Sequence, residues 1–321
     1  MTTMTYAEAV RGAIRTRMQE NPYVIYMGED VGQYSVFGVS AGLYGEFGGE
    51  RVRDTPISES AIIGCAVGGA ATGLRPIAEI MFCDFIGVCM DQIANQAAKT
   101  LYMTGGMVKV PMVIRCPVGA GTNSGAQHSQ SLEAWLTHIP GLKVVYPSCG
   151  EDAYGMMLSA IDDDNPVVFM EHTKLHYLPF EVNHFDPIPL GKGKIVRAGS
   201  DLTIISYGKE VHDAVEAADK LAEQGVSAEV LDLRSLYPLD KELIAQSVSK
   251  THKVIIVSEE VRRGGYAGEL SAMIAEELFD ELDAPIQRVG GLNTPVPFVP
   301  VLEQYFLPQA QDILVAAREI V

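Results

Sequence analysis

The stretch DTPISESAIIGCAVGGAATGLRPIAEIM, residues 54–81, decides the fold. Pro56 makes a turn that displays one carboxylate, Glu59, just ahead of a helix of small residues read over 60–73, and 77–81 then reads as a strand. The same alternation continues on both sides. Thr5-Tyr6-Ala7-Glu8 is a capping box, followed by Ala7, Val10, Ile14 and Met18 at helical spacing and stopped by Asn21-Pro22. Residues 24–27 read as a buried strand ending at Gly28, and 28–49 as Gly-rich loops with one short helix. After the opening stretch come a long helix over 85–103, a strand over 112–115, and a Gly-rich loop over 116–127 with His128 at its end. A strand over 143–146, a helix over 151–161 and a strand over 167–171 follow. Strands alternating with helices indicate a parallel sheet covered on both faces.

The pattern lapses over 172–193, where Asn183-His184-Phe185-Asp186-Pro187 and Pro189 suit a linker, and then resumes. Strands are expected at 202–206, 228–233, 253–257 and 285–289, and helices at 211–223, 241–249, 268–278 and 309–320. The expected organisation is α/β throughout: a first domain over 1–180, a linker over 181–195 and a smaller α/β domain over 196–321. Ligands of such sheets bind beyond the carboxyl ends of the strands, and Glu59, Phe85 and His128 all fall in turns or at helix starts.

Composition narrows the class. The chain has 321 residues, enough for two domains with substantial cores. Its net charge of −17 argues against nucleic-acid binding, which needs clustered Lys and Arg, and leaves room for a basic protein partner. Cys65, Cys83, Cys89, Cys116 and Cys149 form no CxxC pair, so they read as reduced thiols of a cytoplasmic protein. The N-terminus shows no secretory pattern, and 61–74, the longest weakly polar run, is too short to cross a bilayer and reads as a buried helix.

Each candidate residue has a plain reading beside a functional one. Glu59 could make a helix-start hydrogen bond, or could hydrogen-bond a flat heteroaromatic ring and move its protons. Phe85 could be core, or a stacking face. His128 could be a solvated loop residue, or a donor near neutral pH. His138, His172, His176, His184, His212 and His252 belong to no motif.

The segments DTPISE (54–59), GLRPIAEIMFCDF (73–85), YMTGG (102–106), GAQHSQS (125–131), PGLKVVYPS (140–148), LDLRSLYPLD (231–240) and TPVPFVPVLEQYFLP (294–308) decide between these readings. In order, and over nearly the whole chain, they resemble the beta subunit of thiamine-diphosphate-dependent 2-oxo acid and acetoin dehydrogenases. The resemblance implies a transketolase-like pyrimidine-binding domain followed by a smaller transketolase C-terminal-like domain. It implies that Glu59 hydrogen-bonds the pyrimidine N1′ of thiamine diphosphate and drives the imino tautomer whose nitrogen deprotonates the thiazolium C2. For that task Glu59 should be largely desolvated. Phe85 would stack on the aminopyrimidine, and His128 would donate to the substrate and assist acyl transfer to dihydrolipoamide. Asp91 and Glu29 would be candidates for proton relay between two active sites. Met112, Ala160, Ile161, Asp163 and Asn165 match positions that hold a structural potassium ion.

The Gly-Asp-Gly and Asn-Asn motifs that hold Mg²⁺ and the diphosphate in such enzymes are missing here. The resemblance therefore implies an alpha subunit that carries them, an α2β2 heterotetramer, and a lipoyl-bearing acyltransferase that takes the acyl group and docks on the acidic second domain. MFCDFIG (81–87) and the 294–308 segment favour acetoin as substrate. Glu171-His172-Thr173-Lys174-Leu175 is closer to pyruvate enzymes, and branched-chain 2-oxo acids come third. Half of a split transketolase is the alternative, disfavoured by HSQS (128–131) and the acidic balance; a non-catalytic scaffold should have lost Glu59 or His128.

Overall fold

The computed structural model describes residues 2–321, which divide into two compact units. The first comprises residues up to Val118 together with 135–190. Its elements are β1 (Thr2–Thr5), α1 (Tyr6–Glu20), β2 (Val24–Gly28), α2 (Leu43–Phe47), β3 (Val52–Asp54), α3 (Glu59–Ala71), β4 (Arg75–Glu79), α4 (Ile86–Asp91), α5 (Thr100–Met103) and β5 (Val113–Val118). After α6 (Glu133–Thr137) come β6 (Lys143–Val145), α7 (Gly150–Asp162), β7 (Val167–His172) and β8 (Pro179–Val182). Strands β6-β7-β5-β4-β2-β3 lie side by side in that order, every pair parallel, while β1 and β8 form a small antiparallel ribbon.

The capping box starts α1 as expected: Thr5 Oγ1 accepts the Glu8 N–H at 3.2 Å, and the Glu8 carboxylate accepts the Thr5 N–H at 2.8 Å. Tyr6, Val10, Ile14 and Met18 of α1 pack with Met156, Met157 and Ile161 of α7 over Val24, Tyr26, Ile77 and Val113 of the sheet. Burial of such side chains contributes about 1.5–3 kcal/mol each. The chain leaving β8 passes so close to α7 that a Cβ on Gly155 would lie 2.6 Å from Ile188 Cγ1 and 2.7 Å from the Asp186 carbonyl.

The second unit comprises 191–321 and, from the middle of the chain, 119–134. Gly119–Ala134 thus groups with the later residues and not with the strands that flank it in sequence. Its elements are β9 (Lys194–Arg197), β10 (Leu202–Ser206), α8 (Glu210–Glu223), β11 (Ala228–Asp232), β12 (Ser235–Tyr237), α9 (Lys241–Thr251), β13 (Val254–Val261), α10 (Tyr266–Glu277), β14 (Gln287–Gly291), α11 (Pro300–Phe306) and α12 (Ala310–Arg318). Its sheet runs β14-β13-β10-β11-β9, parallel except for β9, which pairs antiparallel with β11. Val211, Ala214, Ala218 and Leu221 of α8 and Ile313, Leu314 and Ala317 of α12 cover one face. Among the described residues no helix is long and apolar enough to cross a membrane, and all five cysteines are free thiols.

Two expectations need correction. The helix read over 85–103 is broken. Cys83–Phe85 is a 3₁₀ turn, Cys89 in α4 has non-helical angles, and Gln92–Ala97 forms a π-helix before α5. The helix over 61–74 is buried on one face only: Ala61, Cys65, Gly68 and Ala71 are exposed. Their side chains are so small that exposure forfeits little apolar burial.

The first unit buries a charged cluster in its sheet. Arg115 of β5 is wholly inaccessible and pairs with Glu79 of β4 and Glu171 of β7, with Nη2 donating to Glu171 Oε2 at 2.9 Å. The Tyr26 hydroxyl on β2 donates to Glu79, and His176 Nε2 lies 3.0 Å from Glu171 Oε2. Burial pushes His176 below its usual range, outweighing the pull of Glu171, so the imidazole is neutral at neutral pH. Glu171 is held below the usual carboxylate range, because Arg115 and His176 overcome the cost of its own burial. An Arg115→Met variant leaves two buried carboxylates without their cation. It should lose about 3–5 kcal/mol of unfolding free energy in urea titration; a loss under about 1 kcal/mol would mean the pairs do not compensate one another.

Candidate functional site

Three neighbouring strands deliver side chains to one edge. In the order β4-β2-β3 the strands are parallel, so their carboxyl ends lie together. Glu29 follows β2, the 55–58 turn and Glu59 follow β3, and the 80–85 segment ending at Phe85 follows β4. The turn is pinned by the Thr55 N–H donating to the Gly28 carbonyl at 2.9 Å and by the Gly32 N–H donating to Asp54 Oδ1 at 2.6 Å. A Cβ on Gly32 would lie 2.5 Å from Asp54 Oδ2, so a side chain there would displace the carboxylate that pins the turn.

Glu59 is the first residue of α3 and is 9% exposed. No side-chain or backbone donor among the described residues reaches its carboxylate. Four residues earlier, the Thr55 hydroxyl is buried without a hydrogen-bond partner. A buried hydroxyl left open in this way is expensive, and a polar ligand would satisfy it. Neighbours register the charge on Glu59. The Cys89 thiol is pushed up to about 12, first by burial and then by Glu59. Glu29 sits above its usual range through burial, Asp30 and Glu59. Glu29 is therefore brought to Glu59. Asp91 is exposed on its helix, accepting hydrogen bonds from Gln92 at 3.0 Å and Asn95 at 2.8 Å.

Small residues on α3 let the broken helix come close. Ser60 Oγ donates to the Val88 carbonyl at 2.8 Å, and a Cβ on Gly64 would meet Gln92 Oε1 at 3.4 Å. Phe85, at the 3₁₀ turn that opens this run, is half-buried, its amide donating to the Phe82 carbonyl at 3.0 Å. A half-buried ring after β4 and a mostly buried carboxylate after β3, both at the carboxyl edge of the sheet, suit a flat heteroaromatic ligand with a ring N–H.

His128 lies in the second unit, half-buried, in a turn closed by its own N–H on the Gly125 carbonyl at 3.4 Å. Two buried carboxylates tether this loop. Glu259 on β13 accepts the Ala120 N–H at 2.6 Å and the Ser131 hydroxyl at 3.2 Å. Glu303 on α11 accepts the N–H groups of Gly121 at 2.9 Å and Asn123 at 3.1 Å. A cavity of about 340 Å³ opens beside the loop, lined by Ala126, Ser129 and Ser131 on one side and Glu259, Glu260 and Asn293 on the other. Ser129 Oγ is buried there without a partner. Reading the sequence singled out none of Glu259, Glu260 or Glu303. The only hint was a pair of acids closing the apolar run VIIVSEEV (254–261).

Four of the five residues matched to a potassium site already bond to protein groups. Arg75 Nη1 donates to the carbonyls of Ile161 at 2.9 Å and Asp163 at 3.0 Å. Lys143 pairs with the Asp163 carboxylate, whose Oδ1 also takes both the N–H of Asn165 at 2.9 Å and its amide at 3.1 Å. The Met112 carbonyl accepts the Val167 N–H at 2.9 Å, and Ala160 is buried within α7. The demand for positive charge at this helix end is met by Arg75 and Lys143, so the donor set leaves a cation nothing to neutralise.

Two family models meet close to the boundary at 190, the first also spanning 119–134. Residues 2–177 match the family model of the transketolase pyrimidine binding domain, and 191–313 that of the transketolase C-terminal domain. The beta subunit of the acetoin:2,6-dichlorophenolindophenol oxidoreductase of Cupriavidus necator is 47% identical over 97% of this chain and 95% of its own length. Its Bacillus subtilis counterpart is 45% identical over 99% and 97%, and the 2-oxoisovalerate dehydrogenase subunit beta of the same organism 43% identical over 100% and 99%. Among solved structures, a split-gene transketolase described as an inactive beta4 tetramer superposes with a TM-score of 0.83 at 25% identity, covering 99% of this chain and 98% of that one.

Glu260 supplies a pH test of the second unit. Burial pushes its carboxyl up to about 7, against hydrogen bonds from the Ala267 N–H at 3.1 Å and the Tyr207 hydroxyl at 3.4 Å. A carboxyl with a raised folded pKa stabilises fully below its ordinary range, and that contribution is lost as pH rises through about 7. Ionisation should cost at most about 3 kcal/mol. Glu260→Gln should therefore gain stability relative to the native chain between pH 5 and pH 8, read as the difference of their urea midpoints; a difference that does not change with pH would contradict the assignment.

Proposed function

We infer, from a chain that belongs to the transketolase-like beta subunits of the acetoin and 2-oxo acid dehydrogenases, that it supplies the pyrimidine half of a thiamine diphosphate site and turns over only with an alpha subunit. The observation that carries this reading is Glu59, a 9%-exposed carboxylate with no protein donor, at the strand edge where the half-buried Phe85 also emerges. Thiamine diphosphate supplies a nucleophilic thiazolium carbon and, in its aminopyrimidine, the base that frees it. Glu59 would hold a proton at the pyrimidine N1′, on a carboxylate only 9% exposed and free of protein donors. Phe85 gives the pyrimidine an apolar face and limits its orientation. His128 would donate to the substrate oxygen and assist transfer of the acyl group to dihydrolipoamide.

The chain carries neither Gly-Asp-Gly nor Asn-Asn, so the ligands of Mg²⁺ and the diphosphate belong to the alpha subunit, in an α2β2 assembly. A potassium ion at Met112, Ala160, Ile161, Asp163 and Asn165 stays outside this reading, because Arg75 and Lys143 already occupy that role. The substrate in this reading is acetoin, on the 47% and 45% identities to acetoin enzymes; a pyruvate enzyme reaches 46% and a branched-chain 2-oxo acid enzyme 43%. The acyl group passes to a lipoyl-bearing acyltransferase, whose basic binding module docks on the acidic second unit in the cytoplasm.

Co-expression with an alpha subunit and assay on acetoin, pyruvate and branched-chain 2-oxo acids tests the reading directly. The purified chain alone should show no turnover, and activity without alpha would refute the shared site. Glu59→Gln should abolish exchange of the C2 proton, followed by NMR, with the assembly intact; unchanged exchange would remove Glu59 from the mechanism. Binding to the acyltransferase should weaken steeply with salt; an affinity indifferent to salt would dismiss the charge-based docking.

A further inference from the structure

Phe85 belongs to a line of rings. Its ring meets Phe82 edge-on, with centroids 6.0 Å apart and planes at 89°. Phe82 meets Phe37 edge-on at 5.4 Å and 83°. Phe37 lies 5.2 Å from the imidazole of His176, tilted by 34°. His176 is wholly buried and bonded to Glu171, which pairs with Arg115. An unbroken series of ring contacts thus runs from the half-buried Phe85 to the charged cluster in the sheet.

Phe37 is well placed to act as the middle support. It comes from the loop after β2, distant in sequence from Phe85, and the loop is fastened on both sides of it. The Ser35 N–H donates to the Asp30 carbonyl at 2.8 Å and the Gly38 N–H to the Ser35 carbonyl at 2.9 Å. The Gly38 carbonyl accepts from Arg11 Nη1 at 3.0 Å, and Gly38 has the left-handed φ of +79° that the turn requires. The imidazole behind Phe37 is kept neutral, so the ring faces no buried cation there. An edge-on neighbour fixes the plane of an aromatic ring, because the positive edge of one seeks the negative face of the other. Without Phe82 and Phe37, the Phe85 ring would have to be ordered by each ligand that stacks on it, and that ordering weakens binding.

We propose that Phe37 and Phe82 are positioning residues that set the plane of Phe85 for the cofactor pyrimidine and tie it to the buried Arg115 cluster. The proposal rests on the reading of Phe85 as the stacking ring. It is tested in the chain assembled with its alpha subunit, by calorimetric titration with thiamine diphosphate and Mg²⁺ and by the near-ultraviolet circular dichroism of the bound aminopyrimidine. Phe37→Leu and Phe82→Leu should each weaken binding about tenfold and diminish the dichroism, while kcat at saturating cofactor falls much less. In a Phe85→Leu background, already weakened, Phe37→Leu should add nothing, because its effect passes through the missing ring. Binding by Phe37→Leu and Phe82→Leu within twofold of the native protein, with Phe85→Leu weakened, would overturn the proposal and leave the stacking reading standing. So would a Phe37→Leu effect of full size in the Phe85→Leu background, which would mark ordinary packing. Unweakened binding by Phe85→Leu would overturn the stacking reading and the proposal with it.

Discussion

A guanidinium sealed from water in the middle of a sheet constrains everything around it. Arg115 lies opposite Glu79 across the β4–β5 pair, and Glu171 reaches it from β7 on the other side. Slipping either partner by one residue would turn its carboxylate to the far face and leave a buried charge uncompensated. Whatever net stability the cluster contributes, it admits a single register for β4, β5 and β7, and Tyr26 extends that requirement to β2. The strand ends from which Glu29 and Phe85 emerge are therefore set from within the sheet, several side chains away from any ligand.

The carboxyl edge of that sheet is a different case: polar groups there have no protein partner. Glu59 is 9% exposed without a protein donor and the Thr55 hydroxyl has no partner, whereas Glu259 and Glu303 each accept two bonds from the His128 loop. Leaving such groups unmet costs about 1–3 kcal/mol each. The surrounding structure carries that cost through rigid supports: a capped turn, small residues that let α3 and α4 approach, and the aromatic series behind Phe85. The combination is what pre-organised binding needs, since the site need not be rebuilt when a ligand enters.

Much of this was legible in the sequence, and the rest was not for identifiable reasons. The Thr5–Glu8 cap, the strand at 202–206 and the placement of Glu59 at a helix start were readable because each is a local pattern. The break after Phe85 was not, because a π-helix inserts into an apolar pattern without interrupting it. Strands β1, β8, β9 and β12 escaped notice because three or four residues offer too little alternation to count. The family motifs picked out Glu59, Phe85 and His128. Glu259 and Glu303 stayed hidden because their partners lie 139 and 182 positions away, and no periodicity reports a bond of that span.

Those two tethers impose an order on the making of the protein. The loop carrying His128 leaves the ribosome well before the carboxylates that hold it. A first unit emerging during synthesis can close its sheet through Arg115 while the 119–134 segment still has no place to dock. A chain long enough to close β4, β5 and β7 through Arg115 still lacks the two carboxylates that hold residues 119–134. The final residues of the chain complete their own unit and also take in a segment made much earlier.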